Sequence, residues 1–268
     1  MILVTGAGGG LGRLIAQRLA GRQDVVLGTR QPGPAERRID FDDPASLADG
    51  FAGAGTLLLI SAGYGEDDIV IARHEAAISA AEQAGVRHVV YTSLSAAGDH
   101  LAYALPHRWT ERRLRESALD WTILRNGLYA ELLALLAPPG PDGRITAPLG
   151  SGRLAAVARE DLADAAARVA VSAAEHAERV YELVGERALG GSDLAAALAV
   201  PYEPGSLAEA RESIAASGAQ PFQVPMLVGT YSAISAGFMD ATGGDLATLL
   251  GRRPRPALEV YAQVLAGA

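Results

Sequence analysis

The chain has 268 residues, a formal net charge of −8 and 49% hydrophobic residues. That length supports one large domain or a domain with a small lobe, with enough apolar surface for a sizeable core. The negative balance argues against a nucleic-acid surface. The absence of cysteine excludes disulfides, thiolate nucleophiles and cysteine-bound metals, and the 23 basic residues are all arginine, so no step can use a lysine amine.

The start, Met1-Ile2-Leu3-Val4, lacks the basic segment of a signal peptide. No apolar run approaches the ~20 residues of a membrane span, so the expectation is a cytoplasmic protein with no membrane partner. Ile2–Val4 reads as a strand that ends at Thr5. Gly6-Ala7-Gly8-Gly9-Gly10-Leu11-Gly12 follows, and Leu11, Ile15 and Leu19 then mark one face of a helix. Glycines allow a tight turn and close backbone approach, and the helix N-terminus offers free N–H groups to an anion. Between a strand and a helix, this is the arrangement that binds a dinucleotide pyrophosphate.

Val25–Leu27 is the second strand. It runs out into Gly28-Thr29-Arg30, a base where an NAD site carries an acid. Arg30 suits a 2′-phosphate, so NADPH is expected over NADH; the competing reading is an ordinary surface arginine. Arg38–Asp40 reads as a third strand, with Asp40 and Phe41 placed for the adenine edge and face. Asp42 and Asp43 are expected to cap a helix at Pro44. Leu57–Ile60 is the fourth strand, and Ser61, Ala62 and Gly63 after it are small enough to line the nucleotide. Val70, Ala77, Ala81 and Ala84 form a helical stripe closed by Gly85, on which His74 should be packed beside Ile71 and Ile78.

His88–Tyr91 and Thr122–Leu124 are the fifth and sixth strands, with a helix from about Pro106 to Ser117 between them. Strands alternating with helices imply a Rossmann-type, doubly wound parallel sheet. Beyond Tyr129 the pattern changes: a Pro/Gly loop at 138–143, a helix over Glu160–Ser172, a strand at Val180–Val184 and a helix capped by Ser192. Residues 1–150 are thus expected to form the NAD(P)-binding domain. Residues 151–268 complete the sheet and add a small, mainly helical substrate lobe. Arg252–Pro256 reads as a solvated connection.

Several motifs together resemble the NmrA-like atypical short-chain dehydrogenases/reductases: Thr5-Gly6-Ala7-x-Gly9-x-Leu11-Gly12, Tyr91-Thr92-Ser93, His107-x-x-Thr110-Glu111 and Leu124-Arg125-Asn126-Gly127-Leu128-Tyr129. Within that family they are most similar to bacterial quinone oxidoreductases and triphenylmethane reductases. The resemblance implies NADP(H) and a small electron-poor acceptor such as a quinone or cationic dye. It also implies an alternative, because some members sense the dinucleotide without turning it over. Self-association stays open.

Typical short-chain reductases use a tyrosine acid with a lysine four residues later. If the family alignment holds, Arg108 and Arg112 stand there, and arginine is no acid at ordinary pH; they share a face with Arg115 and could simply be solvated. The catalytic candidates are Ser93, just beyond the fifth strand, His107, able to donate to an acceptor oxygen, and Tyr129, able to stack on a flat acceptor. Their structural readings are a loop serine, a histidine paired with Glu111 and a core aromatic. Arg125, Asn126 and Gly127 are the cofactor candidates after the sixth strand. The five histidines show no metal-site spacing, and no metal is expected.

Overall fold

A computed structural model describes residues 1–62 and 64–267; Gly63 lies outside the described residues. The chain runs through β1 (Ile2–Val4), α1 (Gly10–Arg18), β2 (Val25–Thr29), β3 (Glu36–Arg38), α2 (Pro44–Phe51), β4 (Thr56–Ile60), α3 (Asp67–Gln83), β5 (His88–Leu94), α4 (Leu105–Arg115) and β6 (Asp120–Asn126). It continues through α5 (Ala130–Leu136), β7 (Arg153–Leu154), α6 (Arg159–Val171), β8 (Arg179–Leu183), β9 (Leu189–Gly190), α7 (Gly191–Leu198), α8 (Leu207–Ala216), α9 (Gln223–Ser235), α10 (Asp245–Leu250) and α11 (Ala257–Ala266).

Seven strands form one sheet in the order β3-β2-β1-β4-β5-β6-β8, the doubly wound arrangement expected from the alternation. Register is parallel from β3 to β5, with Ile2↔Val25, Ile2↔Thr56 and Thr56↔His88. Leu3, Leu57, Leu58 and Leu59 are fully buried, because helices cover both faces and the strands need no polar side. No helix among the described residues is long and apolar enough to cross a membrane.

The third strand sits two residues earlier than the sequence suggested. Its ladder pairs Glu36, Arg37 and Arg38 with Leu27, Gly28 and Thr29. The Asp40 amide has already left it to donate to the Ser46 hydroxyl at 3.0 Å. The apolar Ile39 drew the reading forward, but an edge strand needs no apolar alternation.

The chain forms two compact units. The first comprises Met1–Ser93, Leu105–Arg125 and Leu162–Tyr181; the second comprises Leu94–Ala104, Asn126–Asp161 and Glu182–Ala268. The first unit's core joins Leu3, Leu47, Phe51, Ala77, Ile78, Val89 and Tyr91. In the second, Leu133, Leu194, Ile234 and Tyr261 pack together. Two buried tyrosines close its helix α5, Tyr231 donating to Leu136 O at 2.6 Å and Tyr261 to Ala137 O at 2.7 Å. These are carbonyls that a helix end leaves without an internal partner.

Two local expectations in the second unit change. Helix α7 starts before Ser192, and the Asp193 carboxylate takes the Gly190 amide at 2.9 Å. Arg252–Pro256 is no free connection. Asp161, fully buried near the start of α6, receives Arg252 Nη2 at 2.7 Å, the Arg255 guanidinium and the Arg255 amide at 2.6 Å. A buried carboxylate needs such donors, and the loop supplies them.

Candidate functional site

The first unit carries its site at the C-terminal edge of the parallel strands, where α/β sheets bind ligands. β1 ends at Thr5, whose hydroxyl accepts the Ile60 amide at 3.1 Å and ties the turn to β4. Gly6 has φ +63°, a conformation in which a Cβ is strained. Gly9 N donates to Gly6 O at 2.9 Å and Ala7 N to Gly28 O at 3.1 Å, which fixes the turn against the end of β2. A Cβ on Gly12 would lie 2.1 Å from Gly6 O and 2.8 Å from Ala7 Cα, so only glycine lets the helix close onto the turn. Gly8, Gly9 and Gly10 are exposed, and a Cβ on Gly8 would meet nothing. Helix α1 has no side-chain cap among the described residues, which leaves its first N–H groups for a ligand.

Arg30 stands exposed after β2 and, among the described residues, is neither hydrogen-bonded nor ion-paired. Asp40 and Phe41 are half-buried after β3, with Phe41 partly packed on the core. Asp43 stands at the N-cap position of α2, just before Pro44, without a side-chain cap hydrogen bond, and Asp42 lies one residue outside it. Arg73 grips Asp42 at 2.6 and 2.8 Å, and Arg38 takes Asp43 at 2.5 Å. The hydrogen bond from Arg73 does most to hold the Asp42 carboxyl below its ordinary range, with Arg30 adding to it. Beyond β4, the Ser61 amide donates to Thr92 Oγ1 at 3.0 Å and the Ala62 amide to His74 Nε2 at 3.0 Å.

That last bond settles the His74 tautomer. A backbone amide only donates, so Nε2 is bare and Nδ1 carries the proton toward Thr110 Oγ1 at 2.7 Å; Thr110 in turn donates to Pro106 O at 2.7 Å. Burial, followed by the charges of His107 and Arg73, lowers His74 to about 3. The histidine thus bolts α3 to α4, as its apolar face implied.

His107, Thr110 and Glu111 lie on α4 but serve different partners. His107 Nδ1 meets the Tyr91 hydroxyl at 2.9 Å, not Glu111. Burial, then the Arg108 charge, lowers His107 to about 4. Burial drives the Tyr91 phenol well above its ordinary value. Glu111 is the hub of a separate network. Its carboxylate receives Ser93 Oγ at 2.7 Å, Arg108 Nη1 at 2.7 Å, and Arg125 Nε and Nη2 at 2.9 and 2.7 Å. Burial pushes the Glu111 carboxyl up, but the hydrogen bonds from Arg125 and Ser93 and the charges of Arg108 and Arg125 leave it lowered. Of the arginines at the tyrosine and lysine positions, Arg108 is therefore part of a buried network. Arg112 is 80% exposed and pairs only with Glu116 among the described residues.

The second unit holds the candidates that follow β6. The Asn126 carboxamide oxygen is buried without a partner among the described residues. Gly127 N donates to Leu183 O at 2.9 Å, and a Cβ there would press on Val157 and Leu183 at 3.1 and 3.2 Å, so this glycine serves packing. Tyr129 lies under the Arg159 guanidinium, 4.7 Å from its ring centre. Burial raises its phenol.

The sequence reading passed over Arg13. From α1, this exposed residue turns back and donates Nε to Gly8 O at 2.7 Å. Its place one residue past Gly12 was the available signal.

The NAD(P)H-binding family matches residues 6–173, a span that takes in the glycine turn, Arg30 and the Glu111 network. The chain belongs to the NAD(P)H-binding, NmrA-like family. Quinone oxidoreductase 2 of Escherichia coli is 37% identical over 212 residues, covering 74% of this chain and 73% of the relative. An NmrA-like family domain-containing oxidoreductase of Aspergillus flavus is 26% identical over 98% of this chain and 94% of its own length. Among solved structures, Citrobacter sp. triphenylmethane reductase complexed with NADP(H) superposes with a TM-score of 0.89 at 31% identity, over 98% of this chain and 99% of that one. An NADPH-dependent quinone oxidoreductase of E. coli complexed with NADPH gives the same values.

The residues present fit the dinucleotide. The turn has open space at Gly8 for a pyrophosphate, and Gly12 lets helix α1 close onto the turn behind it.

Proposed function

We propose that this oxidoreductase uses NADPH to reduce a flat, electron-poor small molecule of the quinone type, with no tyrosine–lysine pair. The observation that carries the reading is the exposed Arg30 at the end of β2, without an ion-pair partner among the described residues, beside the glycine turn. A guanidinium there matches a 2′-phosphate through two parallel hydrogen bonds. The quinone and dye reductases among the similar proteins support the acceptor class.

The nicotinamide supplies the hydride. The chain binds, orients and keeps water away. Gly6–Gly12 hold the pyrophosphate, Asp40 and Phe41 border the adenine, and Ser61 and Ala62 line the nucleotide. Arg125, Asn126 and Gly127 bound the nicotinamide end. Residues 1–150 contribute the dinucleotide site and the ring of Tyr129, and residues 151–268 shape the acceptor side.

Ser93 and His107 have definite limits in this scheme. With Glu111 ionised, the Ser93 hydroxyl donates to it at 2.7 Å. It then presents lone pairs, and orients by accepting rather than donating. His107 is kept neutral and engaged with Tyr91. The acceptor's proton comes from water. The test is NADPH binding by titration, followed by NADPH oxidation against a panel of quinones and dyes. Turnover that depends on added quinone is expected. Tight NADPH binding with no turnover across the panel would replace this reading with that of a dinucleotide sensor.

A further inference from the structure

We infer that Arg13 is a second ligand of the NADPH 2′-phosphate, acting with Arg30 from the opposite side of the glycine turn; this rests on the NADPH reading above. Three observations converge. Arg13 is exposed, and its one hydrogen bond among the described residues runs from Nε to Gly8 O at 2.7 Å. That bond uses the inner edge of the guanidinium and leaves both Nη groups for another partner. It also anchors the group over Gly8 and Gly9, the part of the turn with no side chains of its own. A Cβ on Gly8 would meet nothing, so the space beside it is open to a ligand.

The Ala7 amide is bonded to Gly28 O at 3.1 Å, which pins this part of the turn to the end of β2, two residues before Arg30. The 2′-hydroxyl of a dinucleotide is bound at this junction of turn and second strand. Arg13 and Arg30 flank it, and among the described residues neither has an ion-pair partner within salt-bridge distance. Most other arginines of the first unit already have a partner, Arg18 with Asp164, Arg22 with Asp24, Arg38 with Asp43 and Arg73 with Asp42 among them. A doubly charged phosphate monoester calls for two cations. A ribose hydroxyl calls for none, so the pair discriminates between the two coenzymes rather than strengthening both.

The experiment measures dissociation constants of adenosine 2′,5′-bisphosphate, adenosine 5′-monophosphate, NADPH and NADH for the wild type, Arg13→Gln and Arg13→Lys. Arg13→Gln is expected to weaken both 2′-phosphorylated ligands roughly ten- to a hundred-fold, the scale of one lost charge-assisted hydrogen-bond set. NADH and adenosine 5′-monophosphate should stay within about two-fold, and Arg13→Lys should recover part of the loss. An equal loss for all four ligands would mean that Arg13 merely braces the turn, and no change would mean that it is a solvated residue; either overturns the inference. If the wild type itself binds NADPH and NADH alike, the coenzyme reading falls first and this inference with it. A wild-type preference for NADPH that survives in Arg13→Gln overturns the inference alone.

Discussion

Glu111→Gln isolates the network on which the geometry of the first unit rests. The carboxylate is 1% exposed and takes hydrogen bonds from Ser93, Arg108 and both Nε and Nη2 of Arg125, with the Arg115 guanidinium at 3.5 Å. Glutamine keeps the shape but replaces one oxygen by an NH2 that points donors at guanidinium donors. It also leaves the Arg125 charge without its bidentate counter-ion. Removing one partner of a buried ion pair costs about 3–5 kcal/mol. For a chain of this size, 1 kcal/mol moves the melting temperature by about 2–4 °C, so the variant should melt roughly 6–20 °C lower. Differential scanning calorimetry of Glu111→Gln, Arg125→Gln and the double variant completes the cycle. The double variant should lose less than the sum of the singles, because the two changes break the same bonds. A fall below about 1 kcal/mol in the single variant, or strict additivity, would refute the network as a structural hub.

Three further outcomes are expected. Gly12→Ala places a methyl 2.1 Å from Gly6 O, so the turn must open; dinucleotide affinity should drop more than about ten-fold, and retained affinity in a titration would mean the turn is not the pyrophosphate site. Arg30→Ala should weaken NADPH roughly ten- to a hundred-fold and leave NADH nearly unchanged, as read by ligand fluorescence; equal effects on both would remove the NADPH preference. Acid should destabilise the fold steeply. His74 and His107 are lowered, chiefly by burial, to about 3 and about 4, so their neutral forms stabilise the fold fully above the unfolded value near 6.5. That contribution is lost as pH falls toward the folded values, at about 1.4 kcal/mol per pH unit for each. Urea unfolding at pH 7 and pH 5 should differ by about 4 kcal/mol, with His107→Gln roughly halving the difference; a flat profile would show these histidines to be hydrated.

The glycine turn was legible because backbone geometry bears on residue identity there: Gly6 at φ +63° favours glycine, and Gly12 against Gly6 O leaves no room for a Cβ. The central strands were legible because full burial demands unbroken runs such as Leu57-Leu58-Leu59. The edge strand Glu36–Arg38 was not, since its ladder imposes no apolar pattern. The partners of Glu111 were only partly visible. Helical spacing joins Arg108 to Glu111, but Ser93 and Arg125 reach it because β5 and β6 are neighbours in the sheet, a long-range fact that no local window contains. His107 shows the same limit from the other side. Glu111 is its neighbour on the helix, but the buried Tyr91 hydroxyl is closer. Arg252–Pro256 looked like a solvated loop for want of any sign that Asp161 would be buried beneath it.

A centre in which neither Ser93 nor His107 gives up a proton selects its acceptors by the basicity of what hydride addition leaves behind. In the proposed scheme Ser93 gives its proton to Glu111, His107 is held neutral, and Arg108 is too weak an acid to help. Hydride addition to a simple ketone leaves an alkoxide about as basic as hydroxide, with a pKa near 15.7 like that of water. Addition to a quinone leaves a phenolate, with a pKa near the 10 of tyrosine. The difference, ~6 pKa units or about 8 kcal/mol, falls on the transition state in proportion to the charge developed there. Without an acid to absorb it, the proposed scheme disfavours the ketone and leaves the quinone reaction open. In that scheme the lack of lysine narrows the chemistry to acceptors that stabilise their own negative charge.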